Sequence, residues 1–185
     1  KAQADGDQIL SVIRSLSIGS DGKGKSLWAP RREGQIHTVR KAYNNEVTPS
    51  SLQYIECHAT STQVGDATEI SALNEAMEGA FARGQRIPIG GVKGNIGHTL
   101  ECAGLAGMCK TIQALRHGVI PPQPSIKELN PDIAWNDIPF YVPTSPEPWN
   151  ELNQHGVRRA AVNAFGIGGL NSHFILDDRP EPQRP

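Results

Sequence analysis

Three stretches of this sequence end an apolar run in side chains that can move protons or hold an anion. The first is Glu56-Cys57-His58-Ala59-Thr60-Ser61-Thr62-Gln63-Val64-Gly65-Asp66, in which a histidine follows the apolar segment and three hydroxyls follow the histidine. An imidazole so placed can orient or protonate a reacting oxygen, and the hydroxyls can hold a polar substrate arm. The second is Val92-Lys93-Gly94-Asn95-Ile96-Gly97-His98, a lysine and a histidine among glycines that let the backbone pass close to a ligand. The third is Asn163-Ala164-Phe165-Gly166-Ile167-Gly168-Gly169-Leu170-Asn171, whose glycines would bring backbone N–H groups to face a developing oxyanion. A buried Lys93 needs a partner, and Asp66 or Glu69 is the natural one. Each stretch also has a plainer reading: a histidine satisfied by backbone groups, a helix cap at Asp66 and Glu69, and a tight turn between two strands.

The elements that would position these groups alternate along the chain. Gln8 to Ile18 reads as a strand followed by a Gly/Ser/Asp/Lys loop, and Gly34 to Asn44 as a helix from the spacing of Ile36, Val39 and Tyr43. Leu52 to Cys57 is a short buried strand. Asp66 and Glu69 form a D-x-x-E start signal before a helix whose face is Ile70, Leu73 and Met77. Ile87 to Val92 is a second buried strand. Cys102, Leu105, Cys109 and Ile112 trace the apolar stripe of a longer helix that ends at Gly118, a C′ cap. Proline-rich loop fills Ile120 to Trp149, with a turn of helix at Ser125–Leu129. Arg158 to Phe165 and Ser172 to Leu176 are closing strands. This order predicts an α/β layered fold with a mixed, mostly parallel sheet, and ligand sites in such sheets lie at the carboxyl ends of strands.

Composition removes several function classes. A net charge of −1 gives no electrostatic case for nucleic acid or an anionic membrane surface. No apolar run approaches the roughly 20 residues that span a bilayer, and the start of the chain has no apolar signal segment. Three cysteines form an odd, sparse set that fits a reducing cytoplasm. Gly19 to Ser26 matches the phosphate-loop pattern G-x-x-x-x-G-K-[ST], but Pro30 prevents the helix whose N-terminus would hold the phosphates. Cys57, His58, His98 and Cys102 are spaced unlike the common zinc motifs, so no metal site is expected.

Taken together, His-x-Thr-x-Thr-x-x-Gly-Asp from His58, Lys-x-Asn-x-Gly-His from Lys93 and Phe-Gly-x-Gly-Gly-x-Asn from Phe165 resemble the C-terminal half of the β-ketoacyl synthases, including ketosynthase domains of polyketide synthases. The resemblance extends to Asp7–Ile18, to Leu27-Trp28-Ala29-Pro30, to Asn130-Pro131 through Trp135 and to Val142-Pro143 through Trp149. It implies a thiolase-like half with its N-terminal half absent. Residues 1–177 would be the ketosynthase portion and 178–185 a charged, proline-rich linker, the whole being a piece of a longer polypeptide.

The resemblance implies an enzyme that joins acyl units by decarboxylative Claisen condensation with a malonyl-type thioester, in polyketide or fatty acid biosynthesis. His58 and His98 would assist loss of CO2 and stabilise the enolate. Lys93 would fix the site electrostatically through Asp66 and Glu69. Thr60 and Thr62 would bind the phosphopantetheine arm of an acyl carrier protein, and Phe165, Ile167 and Gly168 would line the acyl site. The Ile167 N–H would be an oxyanion donor. No cofactor would be bound directly. The family's nucleophilic cysteine lies in the N-terminal half, so Cys57, Cys102 and Cys109 are not expected to replace it, and this chain alone would be inactive in condensation. Intact members are homodimers. Ala59, Ser61, Gly94, Ile167 and Leu170 depart from common family residues. A catalytically silent partner subunit that shapes chain length is the alternative reading.

Overall fold

The computed structural model describes residues 1–22, 29–124 and 126–180. A single turn, α1 (Ala2–Asp5), precedes β1 (Val12–Ser20), and α2 (Arg32–Lys41) follows. Then come β2 (Tyr54–Glu56), α3 (Gln63–Ala76), β3 (Ile87–Gly90), the four-residue α4 (Lys93–Ile96) and α5 (Ala103–His117). The remainder is strand: β4 (Val119–Ile120), β5 (Phe140–Tyr141), β6 (Glu147–Pro148), β7 (Arg159–Gly166) and β8 (Leu170–Asp177).

Six strands form one sheet in the order β1-β8-β7-β2-β3-β5, while β4 and β6 make a separate antiparallel pair. β7, β2, β3 and β5 run parallel, and β8 and β1 are antiparallel additions at one edge. The mixed, mostly parallel sheet expected from the sequence is therefore present. Strand geometry sends successive side chains to opposite faces, and two cores result. Ile55, Ala161 and Ile175 pack with Val39 of α2 and with Ile70 and Leu73 of α3. Tyr54, Ala160, Val162 and Leu176 pack with Ala114 and Leu115 of α5. The sheet is thus a middle layer between α2–α3 and α5.

Several expectations need correction. α3 begins a turn earlier than the D-x-x-E signal indicated, because Thr62 is its N-cap and its side chain accepts the Gly65 N–H. β3 stops at Gly90, so Lys93 opens a short helix instead of ending a strand. Of the stripe Cys102, Leu105, Cys109 and Ile112, Ile112 packs against the core beneath α5 and the other three do not. Cys102 and Cys109 are exposed, Leu105 is 64% exposed, and Gly107, Thr111, Ala114 and Leu115 face the sheet instead. Small residues there let α5 approach Glu56 and Val162 closely. Gly118 does cap α5 in the left-handed conformation.

The loop from Ile120 to Trp149 contributes the short strands β5 and β6. The turn of helix expected at Ser125–Leu129 starts on a residue outside the described set, and residues 126–129 carry no helix. The second half of the phosphate-loop match, residues 23–26, together with Leu27, Trp28 and residues 181–185 of the tail, also lies outside the described residues. Among the described residues, no helix is long and apolar enough to cross a membrane.

Candidate active site

The three stretches singled out in the sequence converge at one end of the sheet. His58 leaves the end of β2, His98 follows α4, and Phe165 lies at the end of β7. The His58 and His98 ring centroids are 5.9 Å apart in an edge-to-face arrangement, and the Phe165 ring lies 5.6 Å from His58.

Hydrogen bonding fixes which nitrogen of each imidazole is presented. Nδ1 of His98 accepts the Leu100 N–H at 3.0 Å, so the proton of its ring is carried on Nε2. Lys93 Nζ lies 3.4 Å from His58 Nδ1 and donates to the His58 carbonyl at 2.5 Å. An ammonium can only donate, so His58 also carries its proton on Nε2. Burial, with the charges of Lys93 and His98 acting in the same direction, lowers the His58 imidazole to about 3. It is neutral at physiological pH. Two imidazoles that each offer Nε2–H can together stabilise negative charge growing on an oxygen.

Lys93 and the two acids sit differently from the sequence expectation. The lysine bonds His58 and forms no ion pair with Asp66 or Glu69 among the described residues. Burial lowers its ammonium, and the charges of Glu69, Glu56 and Asp66 oppose that shift. Glu69 is not a cap. Its carboxylate accepts the N–H of His58 at 2.7 Å and of Ala59 at 2.9 Å, and Asn163 Nδ2 donates to it at 2.8 Å. Burial raises the Glu69 carboxyl and these three donors pull it back. Asp66 lies in the first turn of α3, where burial raises it and the Ser61 and Thr60 backbone amides and Lys93 lower it. Favourable contact with the helix N-terminus is available at that position.

Thr60 and Thr62 have their hydroxyls 3.2 Å apart beside Gly65. A Cβ on Gly65 would lie 2.3 Å from the Thr62 hydroxyl, so glycine is needed for Thr62 to cap α3 this closely. Ala59 and Ser61 have φ of 40° and 60°, the left-handed region that glycine occupies without steric cost. The backbone here is held against its local preference.

Gly166 to Leu170 close the β7–β8 turn, with Gly169 N–H donating to the Gly166 carbonyl. Ile167 is 62% exposed at its tip, and among the described residues its N–H makes no hydrogen bond. Buried Asp21 braces the turn from beneath: its N–H donates to Gly169 O at 2.8 Å, and Asn171 Nδ2 donates to its carboxylate at 2.6 Å.

The zinc set offered by the sequence does not assemble. Cys57 points into the α2–α3 core, where burial pushes its thiol well up, and Cys102 is exposed on the other side of the sheet. Among the described residues, no group of three or more His, Cys, Asp or Glu could hold a metal. A thiol held protonated by burial is also a poor nucleophile.

Sequence reasoning missed Asn163 and His173 as site supports, along with Glu56, whose carboxylate accepts the Val92 N–H at 2.5 Å, the Tyr54 hydroxyl at 2.7 Å and Lys110 Nζ at 2.8 Å. It also missed Gln123, which accepts the Gly91 N–H at 2.7 Å. For Glu56, Asn163 and His173 the available signal was a polar residue at an inward position of an otherwise apolar strand.

Residues 10–127 match the family described as "Beta-ketoacyl synthase, C-terminal domain", and residues 130–185 match the "Ketoacyl-synthetase C-terminal extension". The chain belongs to the β-ketoacyl synthase family, as its C-terminal domain. It is 39% identical over 176 residues to the highly reducing polyketide synthase cm3B of Cordyceps militaris, a match covering 95% of this chain and 7% of that protein. It is 38% identical over 191 residues to the fusarin C synthetase of Gibberella moniliformis, covering 100% of this chain and 5% of that one. Among solved structures, the oxazolomycin ketosynthase domain OzmH KS7 of Streptomyces albus JA3453 superposes with a TM-score of 0.90 at 37% identity, over all of this chain and 34% of that chain. The module 6 ketosynthase of the bacillaene synthase of Bacillus subtilis 168 gives 0.91 at 34% identity, over 98% and 32%. The fold is accordingly that of the ketosynthases, and the chain spans about a third of the solved ketosynthase chains it matches.

Proposed function

We propose that this chain supplies the histidine half of a ketosynthase that carries out decarboxylative Claisen condensation within a polyketide- or fatty-acid-type synthase. The carrying observation is the His58–His98 pair, 5.9 Å apart, each ring turned so that Nε2 bears the proton. In the proposed step the bond from the malonyl methylene carbon to its carboxylate breaks and CO2 leaves. The electron pair becomes an enolate whose oxygen is held by the two Nε2–H groups. The enolate carbon attacks an acyl thioester on the cysteine of the neighbouring half, the C–S bond breaks, and the thiolate leaves.

Lys93 holds His58 in the required tautomer, with Asp66 and Glu69 supplying compensating negative charge. The Ile167 N–H at the exposed turn is one oxyanion donor, and Phe165, Ile167 and Gly168 border the acyl chain. Thr60 and Thr62 receive the phosphopantetheine arm of an acyl carrier protein, so substrates arrive covalently carried and no separate cofactor enters the step. The catalytic body is placed at 1–177, where β8 ends, with 178–185 as linker.

The same reading accounts for apolar groups left in water. Leu105 on α5 and Leu16 and Ile18 on β1 are 64%, 49% and 56% exposed, and α5 and these β1 side chains share one side of the sheet. That face suits the N-terminal half of the domain, and the intact domain is proposed to be a homodimer. Exposed free thiols at Cys102 and Cys109 suit a reducing cytoplasm.

The test uses the intact protein carrying this chain, given an acyl thioester and a malonyl thioester. Peptide mass spectrometry should find the acyl group on a cysteine outside this chain. His58→Ala or His98→Ala should lower CO2 release at least about 100-fold while that acylation persists. Acylation of Cys57, Cys102 or Cys109 would overturn the site. An intact protein that neither becomes acylated nor releases CO2 is the silent partner.

A further inference from the structure

We propose that Tyr43, His173 and Asn163 form a buried, one-directional hydrogen-bond relay that positions Glu69 and, through it, the His58–Ala59 turn. As positioning residues for CO2 release, they rest on the functional reading above.

The relay is continuous. Tyr43 Oη is 2.8 Å from His173 Nε2, His173 Nδ1 is 2.6 Å from Asn163 Oδ1, and Asn163 Nδ2 is 2.8 Å from Glu69 Oε1. The Glu69 carboxylate then takes the His58 and Ala59 amides. Asn163 and His173 are direct cross-strand partners in β7 and β8, and both point to the α2–α3 side, where Tyr43 and Glu69 lie. Asn163, His173 and Glu69 are each at most 3% exposed, so water does not substitute for these three.

The direction of every bond follows from its carboxylate end. An ionised carboxylate only accepts, so the Asn163 amide must turn its NH2 to Glu69 and its oxygen to His173. His173 must therefore carry its proton on Nδ1, and the Nε2 left as acceptor takes the Tyr43 hydroxyl proton. Aligned bonds of this kind polarise one another. The work at the far end is specific. Ala59 has a φ of 40°, a conformation alanine does not favour, and Glu69 holds the two amides that define that turn. His58 departs from the same turn.

The experiment compares wild type, His173→Phe, His173→Asn and Tyr43→Phe in the intact ketosynthase carrying this chain. Acylation of the nucleophilic cysteine and CO2 release from a malonyl thioester are followed separately. His173→Phe should lower the kcat of CO2 release about 10- to 100-fold, with KM for the malonyl thioester and the acylation rate each within about threefold. His173→Asn, whose side-chain N–H can reach the Nδ1 position, should recover to within about threefold of wild type. Tyr43→Phe should show a smaller loss, about two- to fivefold.

Equal losses in His173→Phe and His173→Asn would overturn the relay, as would parallel loss of acylation and CO2 release. If His173→Phe does not fold, Tyr43→Phe carries the test, and an unchanged rate of CO2 release in it overturns the proposal. A second readout is independent of catalysis: Asn163→Ser should speed hydrogen exchange at the His58 and Ala59 amides about tenfold or more. Wild-type protein that releases no CO2 would sink the functional reading, and the relay would then stand or fall on that exchange rate.

Discussion

Gly91 and Ala59 share one small space: a Cβ on Gly91 would lie 2.8 Å from the Ala59 side chain. The left-handed turn at Ala59 and the bare backbone at Gly91 therefore depend on each other. β2 and β3 are parallel neighbours, and this is where the two histidine-bearing loops that follow them separate.

Ala59→Gly should stabilise the chain by about 0.5–1 kcal/mol, because glycine removes the left-handed strain and returns part of that gain as chain entropy. Gly91→Ala should destabilise by about 1–3 kcal/mol through overpacking. Urea denaturation of both variants and of the double variant checks this. The double variant should recover much of the Gly91→Ala loss, and strict additivity would show that the contact is not the cause.

Behind the site, Glu56 is buried with Lys110 as its charge partner. Lys110→Met should cost about 3 kcal/mol, since it leaves a buried carboxylate without its cation. Adding Glu56→Gln should give a double variant less damaged than the two single losses combined, by about 1–3 kcal/mol. A double-mutant cycle measured by denaturation gives that coupling directly.

The three thiols should divide by position. Cys102 and Cys109 are exposed and should react with a thiol reagent in the native chain. Cys57 is buried, with its thiol pushed well up by burial first and by Glu69 next, and should react only in denaturant. Rapid native labelling of all three would contradict the position of β2 against α3.

Stability should fall on acidification below neutral pH. Burial lowers His173 from 6.5 to about 3 in the folded chain. Between those values the unfolded chain binds the extra proton, so the stabilisation is complete above pH 6.5 and is lost as pH falls. The slope is about 1.4 kcal/mol per pH unit for this one group. His58, also lowered to about 3, adds a slope of the same sign. Denaturation at pH 7, 6 and 5 should show the slope, and His173→Asn should flatten it without abolishing it.

Much of the site was legible in the amino-acid sequence. His58, Lys93, His98 and the Phe165–Asn171 turn each follow an apolar run, and a layered sheet has to bring such ends together. Asp66 and Glu69 were legible as a pair but not in their roles. Their i, i+3 spacing matches a capping signal, and only the fold shows that Glu69 turns inward to the His58 and Ala59 amides while Thr62 caps the helix. The α5 stripe misled for a related reason. Helical periodicity finds an apolar face, but it does not say whether that face meets this sheet or something else. Here Gly107, Thr111 and Ala114, with Leu115, form the sheet-facing side, because the helix packs close to the strands.

By itself the sequence determined the chemistry available and the order of elements, since both are carried by local residue type and spacing. Hydrophobic period and turn chemistry act over a few residues, so strands, helices and the loops bearing the two histidines follow from them. Tertiary structure decided the partnerships. Asn163 meets His173 through β-ladder register, Glu69 crosses from a helix to a strand end, and Lys93 faces the His58 carbonyl instead of an acid. These contacts join residues far apart in the chain, and their geometry is set by how the layers pack, which no local pattern encodes.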